Sequence, residues 1–302
     1  MKQKTHKMKK PQSLGSKMFD VMVTVLLVVI GIIVAYPLIY VLSASVSDYQ
    51  AVNSGKVWLL PVGLQWEGYI GVFENLWIMR GYRNSLFYTL AGTFINVAAT
   101  VTAGYALSRM DLFGRKFLNW YIIFPMWFGG GLIPTYLLLY NMGMVNTPYI
   151  LLIMGLVSPY NIIICRTFMK GLPFELQEAA KIDGASDFQV LRSIILPVAA
   201  PIIAVLSLYY AVGHWNNYFN AMIYVSNREW QPLQVFLREI LLLNESITPE
   251  DMMNVDMLVQ KVERAQVMKY SLIVVASVPL LILYPFLQKF FAKGVMVGAL
   301  KG

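Results

Sequence analysis

The sequence predicts an all-α integral membrane protein with six transmembrane helices. Three observations predict it. Of 302 residues, 58% are hydrophobic and only 13% are charged, against about 45–50% and about 25% in soluble domains. Five stretches lack Asp, Glu, Lys and Arg altogether: Val21–Ser47, Asn84–Ser108, Phe117–Cys165, Ser193–Asn227 and Tyr270–Gln288, with 27, 25, 49, 35 and 19 residues. Lys and Arg then fall mainly on one side of the layer that those stretches define. Sixteen acids and 24 bases are too few to coat a soluble surface of this size. A typical soluble enzyme is therefore excluded, as is a disordered chain. Cys165 is the single cysteine, which excludes a disulfide scaffold.

A helix needs about 20 apolar residues to cross about 30 Å of hydrocarbon, and a helix pairs its backbone polar groups internally. Four of the stretches hold one span each. The 49-residue stretch holds two, divided at Asn146-Thr147-Pro148, where Asn and Pro stop a helix. The 35-residue stretch is too short for two spans and a turn. Spans are expected near 19–43, 84–107, 117–138, 148–168, 199–222 and 268–288. The first follows Lys2, Lys4, Lys7, Lys9, Lys10 and Lys17, as in a signal peptide. Its apolar core far exceeds the usual length of about 7–15 residues, so an uncleaved anchor is expected.

Six spans put both termini on one side. That side carries 16 Lys and Arg with 6 acids, and the other carries 8 with 10. The basic side is cytoplasmic by the positive-inside rule. The chain is expected to divide into a cytoplasmic basic N-terminus (1–18), a transmembrane domain (19–290) and a cytoplasmic tail (291–302), as a multi-pass protein of a cell membrane. The net charge of +8 then serves topology and anionic lipid rather than nucleic-acid phosphates, and no nucleic acid is expected as a partner.

Two segments on the opposite side are long. Residues 48–83 hold Trp58, Pro61, Trp66, Tyr69 and Trp77, an interfacial aromatic belt or a docking surface. Residues 228–269 hold Thr248-Pro249-Glu250-Asp251, a helix start with Pro in the first turn and acids near the positive helix end. A short amphipathic helix is expected from there toward Ala265. Gly129-Gly130-Gly131 and Pro134 interrupt the third span, either to line a cavity or to let helices approach closely.

The loop 170–197 carries the most specific pattern. Pro173 can open a helix, Glu175 and Glu178 follow where the macrodipole favours acids, and Gly184 can end it in a left-handed cap. Ser186 with Gln189 makes a capping box for a second helix, which Pro197 stops. Ala179, Ala180 and Gly184 are small, and Phe174, Leu176 and Ile182 are apolar anchors beside charges. Such a surface suits docking into a groove of a soluble partner.

Glu178-Ala179-Ala180, Asp183-Gly184-Ala185, Ile194 and Leu196-Pro197, in this spacing, resemble the EAA loop of permease subunits in bacterial ABC importers. Nearly the whole chain is similar to the maltose/oligosaccharide type, and specifically to the smaller permease of a heterodimeric pair. Asn84-Ser85, Ala103–Arg109, Gly131–Tyr136, Tyr284–Lys289 and Lys293–Gly298 carry this, and the last two look most like permeases for plant or algal polysaccharide fragments. The resemblance implies the type I ABC importer permease fold with a cytoplasmic coupling helix. Glu178, Ala179, Ala180, Asp183 and Gly184 would couple to an ATPase, with Glu178 pairing a basic residue of that subunit. The implied partners are a second permease, two cytoplasmic ABC ATPase subunits that bind ATP and Mg, and an extracytoplasmic solute-binding protein carrying an oligosaccharide. Lys293–Gly302 would reach between the ATPases. The chain itself is expected to hold no cofactor and to be no enzyme.

Polar side chains in a span are costly and usually face the bundle interior or water. Sugars need hydrogen-bonding groups and aromatic faces, which makes His214, Trp215, Asn217, Tyr218 and Asn220 candidates for the solute pathway; the same residues would also serve as interhelical glue. Asn216, Asn96, Tyr160 and Asn161 are weaker candidates. His6 and His214 are the only histidines, so no zinc-type spacing exists. Gly55-Lys56 lacks the following Ser or Thr of a P-loop, and no nucleophile sits beside a base. A permease for another solute class, or a stand-alone secondary transporter, are the alternatives; the latter would place charges inside its spans, and the charge-free stretches have none.

Overall fold

A computed structural model describes residues 14–242 and 265–285, and no strand occurs among them. The chain enters on α1 (Leu14–Ser45) and turns through α2 (Tyr49–Asn53) and α3 (Glu67–Glu74) into α4 (Leu76–Ser108). Next come α5 (Arg115–Trp127), α6 (Leu132–Asn141), α7 (Ile150–Ile153) and α8 (Pro159–Lys170). The loop holds α9 (Glu175–Ile182) and α10 (Asp187–Val190). A π-helical turn (Leu191–Ile195) and α11 (Leu196–Val198) lead into α12 (Ala200–Trp215). Helices α13 (Phe219–Tyr224), α14 (Leu233–Leu241) and α15 (Ala265–Pro285) complete the described chain.

Three of these helices, α1, α4 and α15, are long and apolar enough to cross a membrane unbroken. Two bent helix pairs are long and apolar enough only when each pair is taken together, as a broken span or a re-entrant loop. Between α5 and α6 the chain turns by 116°, at the glycine run; Gly131 sits at φ 81°, a left-handed conformation that costs a side-chain-bearing residue. The segment 187–198 meets α12 at 83°, where Pro201 in the first turn of α12 lacks the N–H that would continue the helix. The single span expected over 148–168 is corrected. It is split into the one-turn α7 and the 12-residue α8, which reaches only about 18 Å. Ser158 and Pro159 restart the helix there, Ser158 Oγ accepting from the Asn161 N–H. Likewise the expected 199–222 helix ends at Trp215 and resumes at Phe219.

Helix α4 begins eight residues earlier than expected. Asn75 caps it, accepting from the Trp77 and Ile78 N–H groups at 3.0 and 3.2 Å. Arg80 and Arg83 thus lie in the helix yet outside the charge-free stretch, and Arg80 pairs with Glu229 at 2.7 Å. A charge-free run marks the lipid-crossing part of a helix, not its ends.

Helix α4 is also the centre of the packing, touching α12, α8 and α14 along its length. Around its expected cytoplasmic end, Val101 and Tyr105 join Cys165, Met169 and Leu206, and Ala180 and Val190 of the loop complete the cluster. Toward the other end Tyr88 packs with Ile150, Leu151 and Tyr224, and Ile78 packs with Val72, Trp215, Leu233 and Leu272. By contrast, α5 and α6 bury no residue, and none of the apolar window of α1 is buried. The expected helix from Thr248 toward Ala265, the tail 293–302 and the N-terminus to residue 13 lie outside the described residues.

The α4–α8 contact is tight at Gly104, where an added Cβ would stand 2.8 Å from Cys165 Sγ and 3.3 Å from the Arg166 nitrogen. Gly104→Val should therefore destabilise the protein by about 1–3 kcal/mol, the usual cost of overpacking. The check is thermal unfolding in detergent, where the variant is expected to melt a few degrees below the parent.

Candidate functional site

The loop after α8 folds into a surface lever. α8 ends at Lys170, and α9 begins at Glu175 directly after Pro173-Phe174. Glu175 and Glu178 occupy the first turn of α9, where their charge opposes the positive helix end. The helix stops at Gly184, at φ 81°; its N–H donates to Lys181 O at 3.0 Å and the Ala185 N–H donates to Ala180 O at 2.9 Å. This left-handed exit leads into a complete capping box. The Ser186 N–H donates to Gln189 Oε1 at 2.7 Å, and the Gln189 N–H donates to Ser186 Oγ at 3.4 Å.

Of the five residues expected to couple, the structure places Ala180 in the core and leaves Glu178, Ala179, Asp183 and Gly184 exposed on the lever. Around them stand four uncovered apolar side chains: Ile182 is 85% exposed, and Phe174, Leu176 and Phe188 are also exposed. A helix that keeps one small residue inward and apolar groups outward is anchored on one side and open to contact on the other.

A charged cluster that the loop pattern did not reveal lies at the root of this lever. Arg109, the residue that ends α4, donates to both Asp111 and Asp187. Its side chain is only 12% exposed, and the guanidinium lies 5.9 Å from the Tyr105 ring centre. Lys181 of α9 approaches Asp111 at 3.4 Å and Asp187 at 3.7 Å. The Arg109 hydrogen bonds, aided by the charge of Lys181, hold the Asp111 carboxyl well below the usual carboxylate range. A depressed carboxylate stabilises the fold above its unfolded-state value and loses that contribution only as pH falls through the folded one. The Arg109–Asp111 pair therefore keeps its charge at neutral and mildly acidic pH. Beside it a cleft of about 590 Å³ opens between the end of α4 and α9, lined by Arg109, Lys170, Leu172, Phe174, Glu178 and Lys181 among others. The signal available in the sequence was that Arg109 directly follows a charge-free stretch.

The pathway candidates separate. Trp215 is 1% exposed. Its indole N–H donates to Ala276 O of α15 at 2.9 Å, and its ring meets Tyr82 edge-on at 5.7 Å. The expectation that Trp215 faces solute is thus corrected, because the ring and its polar atom are both consumed between helices. His214 is also buried, against Gly92, and its Nε2 has no hydrogen-bond partner among the described residues. Asn217 and Asn220 are half-buried and Tyr218 is exposed, all at the break between α12 and α13. Asn96 donates to Gly155 O at 3.1 Å, joining α4 to the turn after α7, and Asn161 is buried near the start of α8. Tyr160 is exposed. No three His, Cys, Asp or Glu side chains converge as a metal site among the described residues.

Known proteins resemble the chain over nearly its full length. The model of a family described as "Binding-protein-dependent transport system inner membrane component" matches residues 8–297. Protein LplC of Bacillus subtilis (strain 168) is 36% identical over 288 residues, covering 95% of this chain and 96% of that protein. The polygalacturonan/rhamnogalacturonan transport system permease protein YtcP of the same organism is 35% identical over 287 residues, covering 95% and 99%. A crystal structure of a bacterial ABC transporter involved in the import of the acidic polysaccharide alginate contains a chain that superposes with a TM-score of 0.86 at 31% identity. It covers 94% of this chain and 100% of that one. The all-α ABC importer permease fold expected from the EAA pattern agrees with that superposition. With its lever, its apolar spans and a family match across almost all of its residues, the chain belongs to the binding-protein-dependent transport system inner membrane components.

Proposed function

We propose that this chain is one of two permease subunits in an ATP-driven importer of oligosaccharides, fragments of plant or algal polysaccharides. It supplies half of the translocation pathway and couples it to a cytoplasmic ATPase. The observation that carries this reading is the lever itself: the short helix α9, closed by the left-handed turn at Gly184 and followed by the capping box of α10, which together present Glu178, Asp183 and uncovered apolar side chains. The relatives whose names refer to polygalacturonan and to alginate support the substrate class. Both termini lie in the cytoplasm in this reading, with residues 1–18 and 291–302 flanking the permease domain. A solute-binding protein docks on the opposite face, and ATP with Mg binds the separate ATPase.

Magnitudes decide what each part of the lever does. Burying Phe174, Ile182 and Phe188 in a partner groove is worth up to about 1.5–3 kcal/mol each. An exposed ion pair at Glu178 is worth about 0.2–1 kcal/mol. The apolar side chains therefore supply the grip and Glu178 sets the orientation. The two alternating states differ by how ATP and the loaded binding protein bind them.

Glu178→Lys should place like charges together at the ATPase surface. Gly184→Val should strain the φ of 81° and misdirect the helix after it. Both variants are expected to insert in the membrane normally while co-purifying with at least about tenfold less ATPase, or losing stimulated ATP hydrolysis to a similar extent. Normal coupled uptake by both would remove α9 from its role. On the solute side, Tyr218→Ala and Asn217→Ala should change uptake kinetics with assembly intact, whereas Trp215→Ala should chiefly lower thermal stability, by about 3–5 kcal/mol. Uptake of labelled oligogalacturonate into vesicles holding this chain alone would contradict the whole reading.

A further inference from the structure

Arg109 joins three pieces of chain that no helix connects. It terminates α4, the second span. It binds Asp187, the first residue of α10, across 78 positions of sequence. Through the shared acids Asp111 and Asp187 it also engages Lys181 near the end of α9. The Arg109 side chain is mostly shielded, whereas Asp111 and Asp187 are well exposed. A shielded guanidinium in a fork geometry fixes direction as well as distance. Helix α9 otherwise makes few anchoring contacts: Ala180 is its only buried residue. The turn between α9 and α10 passes through Gly184, around which an added side chain would meet nothing within 4 Å. Without the charged cluster the lever could swing about that open turn while α4 stayed still.

We propose that Arg109 is the positioning residue that transmits movement of the α9 lever to the second span, by tying the end of α4 to Lys181 and Asp187. This rests on the permease reading above. A lever moved by a soluble motor is useful only if the spans follow it, and α4 packs against α12, α8 and α14. A tie at the end of α4 therefore reaches most of the bundle.

The test uses the whole transporter, with its partner permease, its ATPase and its binding protein, in proteoliposomes supplied with oligogalacturonate. Arg109→Gln is expected to assemble with the ATPase. It should lose stimulation of ATP hydrolysis by the loaded binding protein, and uptake per ATP, by about fivefold or more, the usual range of a site-to-site coupling. Arg109→Lys keeps the charge without the fork and should fall between. A role in stability alone would lower the yield of complex and leave uptake per ATP unchanged. If Arg109→Gln fails to assemble, Asp187→Asn carries the test, because Arg109 keeps Asp111 there; unchanged uptake per ATP in that variant overturns the proposal. The parent transporter separates the two readings. If it fails to import any offered oligosaccharide, the functional reading falls; if it imports normally and Arg109→Gln does too, only the tie falls.

Discussion

Within lipid, apolar side chains gain nothing by leaving one another for the acyl chains, so helices associate through close approach and hydrogen bonds. Helix α4 is built on that constraint, and the rest of the chain is arranged around it. Tyr88, Gly92, Asn96, Thr100, Gly104 and Ser108 recur every fourth residue and are all buried, while Leu86, Phe87, Leu90 and Phe94 face outward. Its buried face mixes these small and polar residues with Ile78, Val101 and Tyr105, while its outward face carries large apolar side chains. Thr100 shares a hydrogen bond of 2.6 Å with Tyr210 of α12. Asn84 donates to Glu229 O and Gln231 O at 2.7 and 3.0 Å, and Ser85 accepts from the Leu233 N–H at 2.8 Å. Each of these bonds fixes a neighbour to α4 at a point where an unpaired polar group would otherwise sit in a dry interface.

The same constraint explains which elements stay uncovered. Helices α5 and α6 carry no buried residue, and what holds them is peripheral: Arg166 of α8 donates to Asn119 Oδ1 of α5, and Tyr136 of α6 stacks on Tyr224 of α13. Among the described residues, helix α1 is buried only near its end, where Ser43 and Ser45 are buried and Ser43 donates to Leu59 O at 2.5 Å. Faces of this kind are finished by lipid or by another subunit. In the proposed pair of permeases, these faces would give the second subunit a packing surface that is independent of transport chemistry.

Local chemistry was legible in the sequence and long-range pairing was not. Ser186 and Gln189 are three residues apart and Gly184 acts through its own φ, so the caps of the lever could be read directly. The charge-free stretches located the apolar layer, because the cost of charge in hydrocarbon depends on composition alone. Trp215 shows the limit. An indole at a span end suits a sugar face and a helix interface equally, and only the position of Ala276, 61 residues on, decides between them. The split of the fourth span escaped for a related reason: residues 148–168 carry enough apolar length for a crossing, and Ser158-Pro159 at its middle reads as a restart only once α7 is seen packed against α4.

The energetics of the lever also limit what its charged root can do. Moving a two-state permease from one per cent to ninety-nine per cent of the other state takes about 5.5 kcal/mol. Exposed ion pairs contribute about 0.2–1 kcal/mol each, so the cluster of Arg109, Asp111, Lys181 and Asp187 is not the source of the work. Its part is geometric. From Asp187 the backbone runs through the π-helical turn and the bend at Ala199 into α12, while the side chain of the same residue reaches α4 through Arg109. Helices α4 and α12 pack against each other along their length. A displacement arriving at α10 is therefore shared between two helices that cannot slide independently. In the proposed coupling, energy delivered by a motor at the lever would move a packed unit, and the pairs of Arg109 would hold register while it moves.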